Sequence, residues 1–152
     1  MATTISCTEH IAGFDPAAVF EAGTHVETLP VVDGLSLETD VKKFAMGAFV
    51  RVGLVVAKRS FHIDAEVTEF DPGEHIKIEG ESHVGNAALW LDLAAGDQDG
   101  TDIGYGLRIC HGWTTRMAEP MVARHLRETM PHFAALYRQN VIVKLTDLRA
   151  AS

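Results

Sequence analysis

Apolar and polar residues alternate along the middle of this chain, and the period changes near its end. Phe61, Ile63, Ala65 and Val67 alternate with His62, Asp64, Glu66 and Thr68, the pattern of a strand with one buried and one wet face. Asp71-Pro72-Gly73 is a turn, after which Ile76 and Ile78 alternate with His75, Lys77 and Glu79 as the return strand of a hairpin. Asn86 to Ala95 carries Leu89, Leu91 and Leu93 on one face, with Trp90 on the other. Past the turn at Gly96–Gly100, Ile103, Tyr105, Leu107 and Ile109 alternate with Asp102, Gly104, Gly106 and Arg108. These strands form an antiparallel meander.

The flanks complete the pattern. Thr3 to Ile11 reads as a first strand, and Asp15-Pro16 as a helix start, with Asp capping and Pro in the first turn. That helix stops near Gly23, and a second short turn covers His25 to Leu29. Leu35 to Val41 alternates as a strand. Phe44 to Val56 is apolar on both faces, with Gly47 and Gly53 as bends. From about Thr115 to Leu145, Val122, Leu126, Met130, Phe133, Tyr137 and Val141 recur every three or four positions, one face of a long helix. Pro120 sits near its start. Pro131 lies inside it and is expected to bend it by removing a hydrogen bond. The fold class is α+β: an antiparallel sheet on one long helix, with a pocket where a curved sheet and a single helix fail to seal.

Composition narrows the function. At 152 residues the chain suits one domain, 1–152, with a real core. The formal net charge is −8 and basic residues occur in runs no longer than pairs, which excludes a phosphate-backbone footprint and a polybasic lipid patch. No transmembrane span or secretory leader is expected, and two cysteines make no disulfide framework, so the expected location is cytoplasmic. Cys7 and Cys110 fall on the first and last strands, where a pairing is conceivable and two free thiols are the preferred reading.

Several stretches carry a family resemblance: Val67-Thr-Glu-Phe-Asp-Pro-Gly73, Gly100-Thr-Asp-Ile-Gly-Tyr105, the opening His10-Ile-Ala-Gly-Phe-Asp-Pro-Ala-Ala-Val-Phe20, and the long final helix. In this order they resemble the START-related, polyketide-cyclase-like (SRPBCC) superfamily, nearest its carbon monoxide dehydrogenase accessory-subunit and polyketide cyclase/dehydrase groupings. The stretch from Pro30 to Phe44 departs from the usual second strand. The resemblance implies a helix-grip fold of about six or seven strands, with two short helices after the first. It also implies a cavity for lipids, quinones or polyketide-like compounds. No shared catalytic motif can be carried over.

Candidate chemistry follows from the faces. His62, Asp64 and Glu66 oppose the apolar face of their strand and so point to water; no metal site and no cofactor are expected. The expected cavity lining is Tyr105, Leu107, Ile109 and His111 from the last strand, and Met121, His125, Thr129 and Phe133 from the helix. Met117 and Met130 suit an adaptable wall or ordinary core packing. Tyr105 places a hydroxyl in an apolar wall, where it needs a partner from protein, water or ligand. His125 and His132 edge the helix stripe, either as acid–base groups or as partly exposed residues. Binding or carriage of an apolar small molecule ranks first. A cyclase/dehydratase-type enzyme drawing on His125, Tyr105, His111 and Glu9 ranks second. An accessory subunit docking on an oxidoreductase complex ranks third, and a protein partner or homodimer stays open.

Overall fold

The computed structural model describes residues 2–56, 58–82, 85–111 and 119–151. Strand β1 (Ala2–Ile11) leads into helix α1 (Pro16–Gly23) and a 3-10 turn (Val26–Thr28). Six strands follow: β2 (Leu35–Glu38), β3 (Phe49–Val56), β4 (Arg59–Asp71), β5 (His75–Ser82), β6 (Gly85–Ala95) and β7 (Thr101–His111). Helix α2 (Glu119–Ala151) then runs 33 residues, about 50 Å at 1.5 Å per residue. All seven strands form one antiparallel sheet in the order β1-β7-β6-β5-β4-β3-β2. It curls as a half-barrel against α2, the helix-grip arrangement.

Local chemistry sets the ends of α1. Asp15 accepts a hydrogen bond from the Ala18 N–H at 2.8 Å, and Pro16 occupies the first turn, where its missing N–H has no helical partner to lose. In α2 the whole stripe Val122, Leu126, Met130, Phe133, Tyr137 and Val141 is buried, so the helical period was a direct reading of the packed face. The helix continues through Pro131, which lies on the exposed side. There water can serve the carbonyl that proline leaves without a donor. The expected helix start near Thr115, and Met117, lie outside the described residues.

Two strand expectations change. β3 is buried on one face only: Val50, Val52, Leu54 and Val56 point inward, while Phe49 and Val55 remain about half exposed. Among the described residues no second layer covers the outer side of the sheet, so an apolar residue there meets water. β2 is four residues rather than seven and lies at the end of the strand order beside β3, which makes it a short edge strand.

A bulge between Val67 and Glu69 bends β4 and resets its alternation. Ile63, Ala65 and Val67 face inward before it and Phe70 after it, where the Phe70 ring meets Phe20 edge-on at 5.3 Å. The β1–β7 register also decides the cysteines. Cys7 lies opposite Tyr105 and Cys110 opposite Ala2, so five residues, roughly 17 Å of strand, separate them. Cβ atoms in a disulfide sit about 4 Å apart, so both thiols are free.

Helix α2 packs along β1 and α1 and leaves the middle of the sheet less covered. Its C-terminal half is firmly tied: Tyr137 Oη donates to the Gly23 carbonyl at 2.7 Å, Asn140 to the Thr28 carbonyl at 3.0 Å and Arg138 to the His10 carbonyl at 2.7 Å. Lys144 pairs with Glu27, and the Arg149 guanidinium lies 4.1 Å from the centre of the Phe14 ring. Gly23 permits the first of these approaches, because a Cβ there would stand 2.5 Å from Tyr137 Oη.

Candidate functional site

The sheet carries a concavity on each face. The outer one is a broad open depression of about 1010 Å³ crossed by charged side chains. Most of them are already paired. Arg51 Nε donates to Asp64 at 3.0 Å, and Lys77 lies between Glu69 at 3.6 Å and Glu79 at 3.4 Å. Trp90 lies half-buried on this face, across Gly106 of the neighbouring strand. The strand carboxylates and His62 are on this wet side, as their alternation required. Among the described residues no group of three His, Cys, Asp or Glu is placed to hold a metal ion.

His75 on the same face gives a pH test. Its Nδ1 pairs with Asp92 and its Nε2 lies 3.5 Å from Glu69. Burial opposes the imidazolium, but the hydrogen bonds and charges of Asp92 and then Glu69 outweigh it, so the pKa is raised. A raised value means that the stabilisation is full below the unfolded pKa of about 6.5 and is lost as pH rises through the folded value. An NMR titration of the His75 ring is expected to show a midpoint above that of an unfolded peptide. In chemical denaturation His75→Gln is expected to remove the matching pH dependence; a midpoint at or below the ordinary value refutes the pairing.

The inner concavity lies between the sheet and α2 and has a different character. It is a narrow cavity of about 60 Å³. Its sheet wall comes from Ile76 and Ile78 of β5, Leu89 and Leu91 of β6, and Tyr105 of β7. These residues stack across strands, since Ile78 pairs with Leu89, Ile76 with Leu91, and Leu91 with Tyr105. Met130, Phe133 and Tyr137 close it from α2, Phe20, Gly23, Thr24, Leu29 and Phe44 from α1 and the loops, and Leu37 from β2. Ile76, Leu89 and Leu91 are only partly buried, so the apolar wall reaches the surface there. No Lys, Arg, His, Asp or Glu among the described residues lines this cavity.

Three aromatic rings organise its helix side. Phe133 and Tyr137 stack nearly parallel with centroids 6.5 Å apart, and Tyr105 meets Tyr137 edge-on at 6.0 Å. Both phenols are pushed well above their ordinary pKa by burial, Tyr105 further by the neighbouring Tyr137, Glu9 and Cys7. They differ in one respect. Tyr137 gives its proton to the Gly23 carbonyl, whereas the buried Tyr105 hydroxyl has no hydrogen-bond partner among the described residues.

Of the eight residues expected to line a cavity, Tyr105 and Phe133 do so. Leu107, Ile109 and Thr129 are buried but lie off the lining. Met121 is 52% exposed: it falls outside the stripe centred on Val122 and Leu126 and turns to solvent. His125 is also elsewhere. Its Nε2 reaches the Gly34 carbonyl at 3.3 Å with Thr129 Oγ1 at 3.5 Å, tying the N-terminal half of α2 to the turn before β2. His132 is exposed. Glu9 stands beside Arg138 at 4.0 Å, off the cavity wall. The His111 side chain lies outside the described residues. Sequence reasoning missed Tyr137 and the β5–β6 wall. Tyr137 was on the helix stripe, and its lone hydroxyl was the available signal; nothing in an alternating strand says which inward positions a helix leaves uncovered.

No family model matches the chain, and no curated protein matches it. Solved structures do. A Thermus thermophilus protein aligns with a TM-score of 0.72 at 13% identity, covering 92% of this chain and 97% of that one. A point mutant of Thalictrum flavum norcoclaurine synthase, in complex with a transition-state analogue, aligns at 0.63 and 12%, covering 95% and 97%. Ara h 8.0201 aligns at 0.59 and 14%, covering 93% and 99%. These likenesses show the fold alone, a Bet v 1-like helix-grip. No helix among the described residues is long and apolar enough to cross a membrane.

Proposed function

We propose that this protein binds or carries an apolar small molecule between the inner face of its sheet and α2. The observation that carries the reading is the apolar cavity wall, uncharged throughout its described residues and reaching the surface at Ile76, Leu89 and Leu91. A strand face meant for water would place polar side chains at such positions, whereas apolar walls leading inward suit a ligand cleft. At about 60 Å³ the free cavity is well below the ~150 Å³ of an engineered cavity that holds benzene. Ligand entry therefore moves a wall. Among the described residues the N-terminal half of α2 makes fewer such ties, through His125 and Gly34, and is the element that gives way.

The comparisons support the container and name no ligand. The synthase is an enzyme by its name; for an acid–base reaction here the described wall offers few groups. Among the described residues the titratable side chains on the wall are two phenols, both held protonated by burial. Docking on a larger complex draws no specific support from the half-exposed Phe49 and Val55 alone.

The test is saturable binding of 1-aminoanthracene, a neutral apolar fluorophore, together with native mass spectrometry of the purified protein. The expected result is a blue-shifted, saturable signal that Leu89→Asp abolishes while the fold persists by circular dichroism. A linear, non-saturable signal that Leu89→Asp leaves unchanged sinks the reading.

A further inference from the structure

We infer that the ligand of the inner cavity is a neutral molecule whose carbonyl-type oxygen accepts a hydrogen bond from Tyr105, such as a cyclic ketone, lactone or quinone. The inference rests on the binding reading above and names the chemistry of its ligand.

The Tyr105 residue is 5% exposed, and its hydroxyl is sealed from solvent without a partner among the described residues. Buried polar groups are ordinarily satisfied, and one left unsatisfied carries its full desolvation cost. Tyr105 lies on the wall of the cavity. Its nearest aromatic neighbour does not relieve it, because Tyr137 has committed its proton to the Gly23 carbonyl. An acceptor brought into the cavity by a ligand would complete this hydroxyl.

Charge sets the second half of the inference. A carboxylate or phosphate in this cavity would lose its water and meet no cation among the described lining residues, and an ammonium would meet no anion. A carbonyl oxygen on an otherwise apolar ring system supplies the acceptor at no such penalty. The phenol stays protonated on burial, so it serves as donor throughout the range in which the protein is handled.

Three probes of one shape test this by calorimetry: 1-indanone, indane and indane-2-carboxylate, each with the wild-type protein and with Tyr105→Phe. The affinity ratio of indanone to indane is taken in each protein, and the two ratios are compared so that hydration of the probes cancels. Wild type is expected to favour indanone about tenfold more than Tyr105→Phe does, the factor that corresponds to one hydrogen bond to an otherwise unpaired donor. Equal ratios in the two proteins overturn the inference and leave the binding reading standing. No binding of either neutral probe to wild type overturns both. Binding of the carboxylate as tight as that of indanone overturns neutrality.

Thermal unfolding of the free proteins gives an independent check. Tyr105→Phe is expected to melt at or above wild type, because it removes an unpaired buried hydroxyl, whereas Tyr137→Phe melts lower. A drop for Tyr105→Phe as large as that for Tyr137→Phe means that the Tyr105 hydroxyl is satisfied in the free protein, and overturns the inference.

Discussion

Replacing Tyr137 with alanine is expected to cost about 3–5 kcal/mol, the range for deleting a buried aromatic side chain. The residue is 7% exposed and joins three parts of the molecule. Its ring stacks on Phe133 within α2, meets Tyr105 of β7 edge-on, and its hydroxyl holds the Gly23 carbonyl at the end of α1. Alanine removes all three contacts and opens the cavity wall beside Tyr105. Urea unfolding measures the cost. Tyr137→Phe separates the hydroxyl, worth roughly 1 kcal/mol, from the ring. A loss for Tyr137→Ala no larger than that for Tyr137→Phe would show that the ring does not anchor the helix.

Gly80→Ala is expected to destabilise by about 3 kcal/mol, the upper end for forcing extra volume into a packed site. Gly80 pairs with Ala65 across the β4–β5 ladder. A Cβ there would stand 2.4 Å from the Asp64 carbonyl oxygen and 2.9 Å from Ala65 Cα. Both obstacles are backbone, so relief requires the two strands to part where the sheet curls. Gly104→Ala is the control, since its nearest atom is 3.9 Å away and the change is expected to be nearly neutral. Equal stabilities for the two variants by denaturant titration would mean that the close approach at Gly80 is not a constraint of the fold.

The two variants mark different depths of legibility. The Tyr137 position could be read in the chain, since it lies on the stripe that runs from Val122 to Val141. The contacts that make it costly could not, because Gly23 is 114 residues away along the chain. Gly80 looked like any glycine in an alternating strand. Only the close approach of β4 to β5 shows that no side chain fits there.

Similar reasoning accounts for the site. Periodicity placed Tyr105, Leu107 and Ile109 together on the inner face of β7, and all three are buried. It could not say that α2 would lean toward β1 and α1 and leave the cavity over β5 and β6. Hence Ile76, Ile78, Leu89 and Leu91 form the wall, while Leu107 and Ile109 pack away from it. His125 shows the same limit from the helix side. Its place at the edge of the stripe was correct, but the turn at Gly34 had to fold back before the imidazole acquired a carbonyl partner.

By itself the sequence determined the α+β class, the strand order along the chain, the buried stripe of α2 and the N-terminal cap of α1. Those depend on alternation, helical period and local turn chemistry, which act over a few residues. The tertiary structure alone decided the curl at the β4 bulge, the separation of Cys7 from Cys110 by register, and the side of the helix on which a cavity remains. It also decided that one tyrosine hydroxyl finds a carbonyl while the other finds no partner among the described residues. These are properties of how distant segments meet, and the free energy that fixes them comes from contacts that no local window of the sequence contains.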